Sequence, residues 1–106
     1  MATKDIFGEI QSRLDANPAK LAGLKAVYQF EIGGADPGAY YLDIADGKGK
    51  VNEGTHASPN ITLSLSSQDW ADMVAGKLDG TAAFMTGKLK LKGDIGLAMR
   101  LQSLLR

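Results

Sequence analysis

The chain has 106 residues, enough for one domain with a modest core, and 44% hydrophobic with 23% charged residues is an ordinary globular composition. Twelve Lys and Arg balance twelve Asp and Glu, which argues against general nucleic-acid binding, because neutralising phosphates requires excess cation. Cysteine is absent, and with it disulfides, thiolate metal sites and thiol nucleophiles.

The opening MATKDIFGEI lacks the continuous apolar core of a secretory signal, and no apolar run reaches the roughly 18 residues of a membrane span. The ending Leu104-Leu105-Arg106 is not a Ser-Lys-Leu-type peroxisomal address. The expected location is therefore the cytoplasm.

Along the chain, Thr3 is the expected N-cap of a first helix whose Ile6, Phe7, Ile10 and Leu14 share one narrow stripe. Asn17-Pro18 ends it and opens a short second helix that buries Leu21 and Leu24. From Lys25 the period becomes two. Ala26, Tyr28, Phe30 and Ile32 predict one half-buried strand, and after the turn GGADPG, Tyr40, Leu42 and Ile44 predict the next. Asp46-Gly47 signals a hairpin to a short strand near Val51. A loop over 52–60 then leads to a strand carrying Ile61, Leu63 and Leu65. Ser66 or Ser67 caps a helix with Trp70, Met73 and Val74 on its apolar face, stopped at Gly76. A short helix over 82–85 closes at Gly87. Leu89 and Leu91 alternate with Lys88, Lys90 and Lys92 in a fifth strand, and Gly93-Asp94 starts a last helix that runs to the C-terminus.

Strands grouped apart from helices predict an α+β fold: a five-stranded, antiparallel-rich mixed sheet with about five helices on one face, the other face meeting water.

The last helix carries more oil than it needs. Ile95, Leu97, Ala98, Met99, Leu101, Leu104 and Leu105 cover roughly 220° at about 100° per residue, whereas docking on one sheet needs about 100° or slightly more. Leu97, Leu101 and Leu104 suffice to dock it, which leaves Ile95, Met99 and Leu105 facing something else apolar. Gln102 falls inside that arc, where a buried amide needs partners. It could orient the polar end of a ligand, or touch water at a frayed end. Met73, Met85 and Met99 fall one to each of the last three helices. Such adaptable side chains suit either a non-specific site or core gaps. Trp70 and Phe84 are core residues first and pocket walls second. Phe30 and Val74 complete the expected lining.

Catalytic chemistry is missing. His56 is the sole histidine and falls in a loop with no second imidazole, so no transition-metal site is expected. The serines lack a G-x-S-x-G elbow, and neither Gly-rich segment has phosphate-loop spacing. The Lys88-Lys90-Lys92 stripe is either edge-strand protection or a weak attraction to anionic headgroups or to the phosphates of an acyl-coenzyme A.

The segments Gly87-Lys88-Leu89-Lys90, Lys92-Gly93, Gly96-Leu97-Ala98-Met99 and Leu101-Gln102 resemble the C-terminal signature of the sterol carrier protein 2 family. Tyr28-Gln29-Phe30, Ile61-Thr62-Leu63 and Asp69-Trp70 also match, so the resemblance spans nearly the whole chain. It implies a five-stranded sheet and an apolar tunnel under the helices, bordered by the helix of Ile95, Met99 and Gln102. It further implies non-enzymatic binding of fatty acids, acyl-coenzyme A, sterols and phospholipids, with no cofactor. The expectation is a monomeric lipid carrier that touches anionic membranes through the lysine stripe. The alternative is an accessory module that presents a hydrophobic substrate to a partner enzyme.

Overall fold

A computed structural model describes residues 2–105. The alternating stretches become β1 (Ala26–Gly33), β2 (Gly38–Ala45), β3 (Lys48–Glu53), β4 (Ile61–Ser66) and β5 (Lys90–Gly93) of one sheet, ordered β3-β2-β1-β4-β5. Only β1 and β4 pair in parallel; every other neighbour is antiparallel. The sheet is thus mixed and antiparallel-rich, as expected. The β2–β3 hairpin turns on two residues, Asp46 and Gly47, with φ of 53° and 74°. Both lie in the left-handed region, where the twist of a two-residue turn matches that of its strands.

Among the described residues four α-helices accompany the sheet: α1 (Thr3–Ala16), α2 (Ser67–Val74), α3 (Gly80–Met85) and α4 (Ile95–Leu104). The fifth helix expected after Asn17 is a single 3-10 turn, Pro18–Leu21. It cannot lengthen because Gly23, at φ 76°, bends the chain so that Leu24 N–H donates to Leu21 O and both leucines are buried. Any continuation of α4 to Arg106 lies outside the described residues.

Thr3 is not the cap of α1. It is the first helical residue and is buried; Ala2 takes the cap position without a side-chain bond. The missing acceptor comes from the β1–β2 turn instead. Asp36 Oδ2 accepts from Thr3 N at 2.7 Å, and Thr3 Oγ1 donates to Asp36 O at 2.8 Å. A carboxylate at a helix N-terminus also suits the helix dipole.

The outward face differs from expectation at one point. Gln29 points away from the helices yet is buried, because the 54–60 connection crosses over it. Its amide donates to Tyr40 O and Gly54 O, and its carbonyl accepts from His56 N at 2.8 Å. His56 is accordingly half-buried rather than free in solvent, with Nδ1 accepting from Ser58 N and its ring edge-on to Tyr41.

Edge strand β3 is blocked by α1. Gln11 Nε2 donates to Gly49 O at 2.9 Å while Gln11 Oε1 accepts from Val51 N at 2.7 Å. One side chain thereby occupies the place of a sixth strand, which limits edge-to-edge pairing. Gln11→Ala should lower unfolding stability by roughly 1 kcal/mol in urea denaturation and raise the tendency to self-associate on concentration.

Candidate functional site

The sheet presents one apolar face, and its two halves are covered differently. Over β1 and β2, Phe7 stacks on Tyr40 at 4.2 Å and on Trp70 at 5.4 Å, while Phe30 meets Phe7 at 5.2 Å and Trp70 at 5.0 Å. Offset and edge-on rings at these spacings pack solidly. Phe30 and Trp70, expected on a pocket wall, are therefore wholly core residues, 1% and 0% exposed. Trp70 Nε1 has no hydrogen-bond partner among the described residues, which fits a ring enclosed by other rings.

Over β4 and β5 the packing stops short. Between these strands and α2, α3 and α4 lies an open cavity of about 550 Å³. Its floor is Leu63 of β4, Leu91 of β5 and Leu89 just ahead of β5, and its walls include Met73 and Val74 of α2, Phe84 of α3, and Ile95, Ala98 and Met99 of α4. Leu101 and Leu105 close it below α4, and Arg13, Asp79, Thr81 and Gln102 supply the polar lining. The volume falls in the roughly 300–1,000 Å³ range of small-molecule sites, and the mostly apolar wall with a few polar groups is typical of them. The cavity is open at one side rather than a closed tunnel. Phe84, Ile95 and Met99 stand at its mouth, 48%, 46% and 73% exposed.

Seven residues singled out in the sequence therefore share the cavity: Met73, Val74, Phe84, Ile95, Met99, Gln102 and Leu105. Met85 does not. It is 80% exposed and lies off the wall, because one step along α3 from Phe84 rotates it about 100°. The floor leucines went unnoticed for want of the β4–β5 pairing, which sets Leu63 opposite Leu91. Arg13 had no local signal, since it reaches the cavity from the first helix.

The placement of α4 depends on the end of β5. Gly93 has φ 118°, and a Cβ there would lie 2.4 Å from Asn60 O, so only glycine fits. Asp94 N donates to the same carbonyl at 3.0 Å, and Asp94 Oδ1 then caps α4 at Gly96 N. Docking follows through Leu101 and Leu104, which are buried, and half-buried Leu97. Beneath the helix, the fully buried Tyr28 donates its hydroxyl to Leu97 O at 2.8 Å.

Polar contacts tie the far ends together. Arg13 donates to Leu105 O at 2.9 Å, to Val74 O at 3.5 Å and to Glu9 at 2.9 Å, so one guanidinium braces the ends of α2 and α4 against α1. Gln102 is half-buried and donates to Asp79 Oδ1 at 3.0 Å, while Asp79 Oδ2 caps α3 at Ala82 N. The Lys90 and Lys92 positions pair with Ser64 and Thr62, so their side chains project to the sheet face away from the cavity.

A mixed sheet, helices on one face and an apolar cavity between them define a ligand-holding domain of the sterol carrier type. Residues 7–106 match the SCP-2 sterol transfer family, and the chain belongs to it. It is similar to hydroxysteroid dehydrogenase-like protein 2 of Xenopus tropicalis, 37% identical over 103 residues, covering 96% of this chain and 24% of that protein. The chain thus spans about a quarter of the length of that relative. Among solved structures it is similar to the palmitated sterol carrier protein 2-like 2 of Aedes aegypti, with TM-score 0.84, 27% identity, and coverage of 100% of this chain and 96% of that one. It is also similar to apo sterol carrier protein 2 of Yarrowia lipolytica, with TM-score 0.80, 27% identity, and coverage of 94% and 86%.

Burial pushes the Tyr28 phenol up from 10.0 to about 12, with Asp94 adding to the shift and Arg100 opposing it. A phenol harder to ionise when folded contributes stability fully present below pH 10 and lost as pH rises through about 12. Amide exchange in α4 should therefore accelerate between pH 10 and 12 relative to the rest of the sheet, after correction for intrinsic exchange. In Tyr28→Phe, α4 should exchange faster already at pH 7, with overall stability lower by about 1 kcal/mol and no further step in that alkaline window.

Proposed function

We propose that this domain binds single lipid molecules in the cavity between α4 and the β4–β5 edge, and transfers or presents them without catalysis of its own. The observation that carries this reading is the 550 Å³ space where the surplus apolar face of α4 meets the leucine floor. An acyl chain would lie along Leu63, Leu91, Ala98 and Leu101, with its polar end toward Arg13 and Gln102. Family membership and the palmitate carried by the Aedes aegypti relative support the choice of guest. Sterols, acyl-coenzyme A and phospholipids are further candidates, because the wall is apolar and its Met73 and Met99 are adaptable. The chain would act as a monomer in the cytoplasm.

A second reading has its own support in the length of the dehydrogenase-like relatives. In it the pocket presents an apolar substrate to a partner enzyme. A carrier exchanges its lipid with vesicles unaided, whereas a presenting module changes the turnover of the partner.

Ala98 is half-buried on the wall, so Ala98→Trp should fill the space. Titration with a fluorescent fatty acid should show at least about a tenfold loss of affinity, while circular dichroism stays that of the parent fold. Unchanged affinity would remove the cavity from the proposal. Arg13→Met should weaken binding of a fatty acid by roughly three- to tenfold and of its methyl ester much less, since only the acid offers a charge to the guanidinium. Equal losses for both would reduce Arg13 to a brace.

A further inference from the structure

Cysteine is absent, so four methionines carry all the sulfur of the chain. Met1 lies outside the described residues. The other three stand in three different relations to the cavity. Met73 is half-buried on its wall, its methyl 3.5 Å from where a Cβ on Gly80 would stand. Met85 is 80% exposed and off the wall. Met99 is 73% exposed and also lines the cavity. Every other large apolar side chain of α4 is Leu or Ile, and none is as exposed. The one oxidisable apolar group of that helix therefore sits where cavity and water meet.

A thioether reacts with a hydroperoxide that reaches it from water. One peroxide oxygen bonds to sulfur and the O–O bond breaks. The other oxygen leaves as water from hydrogen peroxide, or as an alcohol from an organic hydroperoxide. Sulfur is oxidised by two electrons and the peroxide is reduced by two. The sulfoxide is polar, and dedicated reductases return it to the thioether. At Met85 the change falls on a side chain already in water. At Met99 it puts a strong dipole on the apolar wall shared with Phe84 and Ile95, where covering it with hydrocarbon costs free energy.

We infer that Met99 is a reversible oxidation site through which hydroperoxides loosen the domain's hold on its guest. The effect on the guest rests on the cavity being a lipid site. The same geometry has a converse: a bound acyl chain covers the Met99 sulfur and slows its oxidation, while Met85 reacts as before.

The test uses the whole chain, dilute hydrogen peroxide and palmitate. Peptide mass spectrometry reads each methionine, and titration with a fluorescent fatty acid reads affinity. In the empty protein Met85 and Met99 should oxidise at comparable rates and Met73 more slowly. Palmitate at about ten times its dissociation constant should slow Met99 at least about fivefold, because little empty protein remains, and leave Met85 unchanged. Treatment brief enough to convert Met99 and spare Met73 should cost about tenfold in fatty-acid affinity, the factor expected when one large apolar side chain is lost from a binding wall. Circular dichroism should stay that of the parent fold, and methionine sulfoxide reductase should restore the affinity. Met85→Leu should respond to peroxide as the parent does. Met99→Leu, compared with itself before treatment, should lose nothing. In a protein that binds fatty acid before treatment, full affinity with Met99 oxidised, the same loss in Met99→Leu, or equal protection of Met85 and Met99 would overturn the inference. An untreated protein that binds no fatty acid would instead overturn the cavity reading, and this inference with it.

Discussion

One apolar sheet face must be covered by helices too few and too short to cover it evenly. Over β1 and β2 the coverage is complete: Ile6, Phe7, Ile10 and Leu14 of α1 are buried, and the rings of Phe7, Phe30, Tyr40 and Trp70 leave no gap. Over β4 and β5 it is not. There α2 ends at Val74, α3 has only six residues, and α4 is fixed by Tyr28, Leu101 and Leu104 while Met99 stays exposed. A well-packed half holds the fold, and a loosely packed half leaves volume. Close packing normally eliminates such volume, and its persistence beside a leucine floor is what makes it the candidate site.

The site is held by polar braces at its margins, so its walls need not collapse to be stable. Arg13 joins the ends of α2 and α4 to α1, and Gln102 joins α4 to the cap of α3. These contacts set how far apart the helices stand without filling the space between them. Tyr28 sets the height of α4 above the sheet from within. Flexible Met73 and Met99 on the wall leave the shape of the cavity adjustable.

Much of this was legible in the sequence where the signal is local. Alternation located the strands, Asp46-Gly47 announced its turn, and the wide apolar arc of 95–105 marked α4 as short of partners before any cavity was visible. Long-range pairings were not legible. Asp36 caps α1 from 33 residues away. Gln29 looked like a solvated strand residue until the 54–60 crossing covered it. Arg13 and Leu91 join the cavity only because β5 pairs with β4 and α1 lies alongside. Phe30 and Trp70 were candidates for the wall because apolar size alone does not tell which half of a sheet face a ring will cover.

The central claim, that a lipid fills the space under α4, is tested most directly by isotope-edited NMR of the protein with a uniformly carbon-13-labelled saturated fatty acid. Cross-relaxation should link the acyl chain to Leu63, Leu91, Ala98 and Met99, and leave Phe30 and Trp70 silent. Contacts confined to the Gln29 face of the sheet, or none at saturating fatty acid, would contradict it.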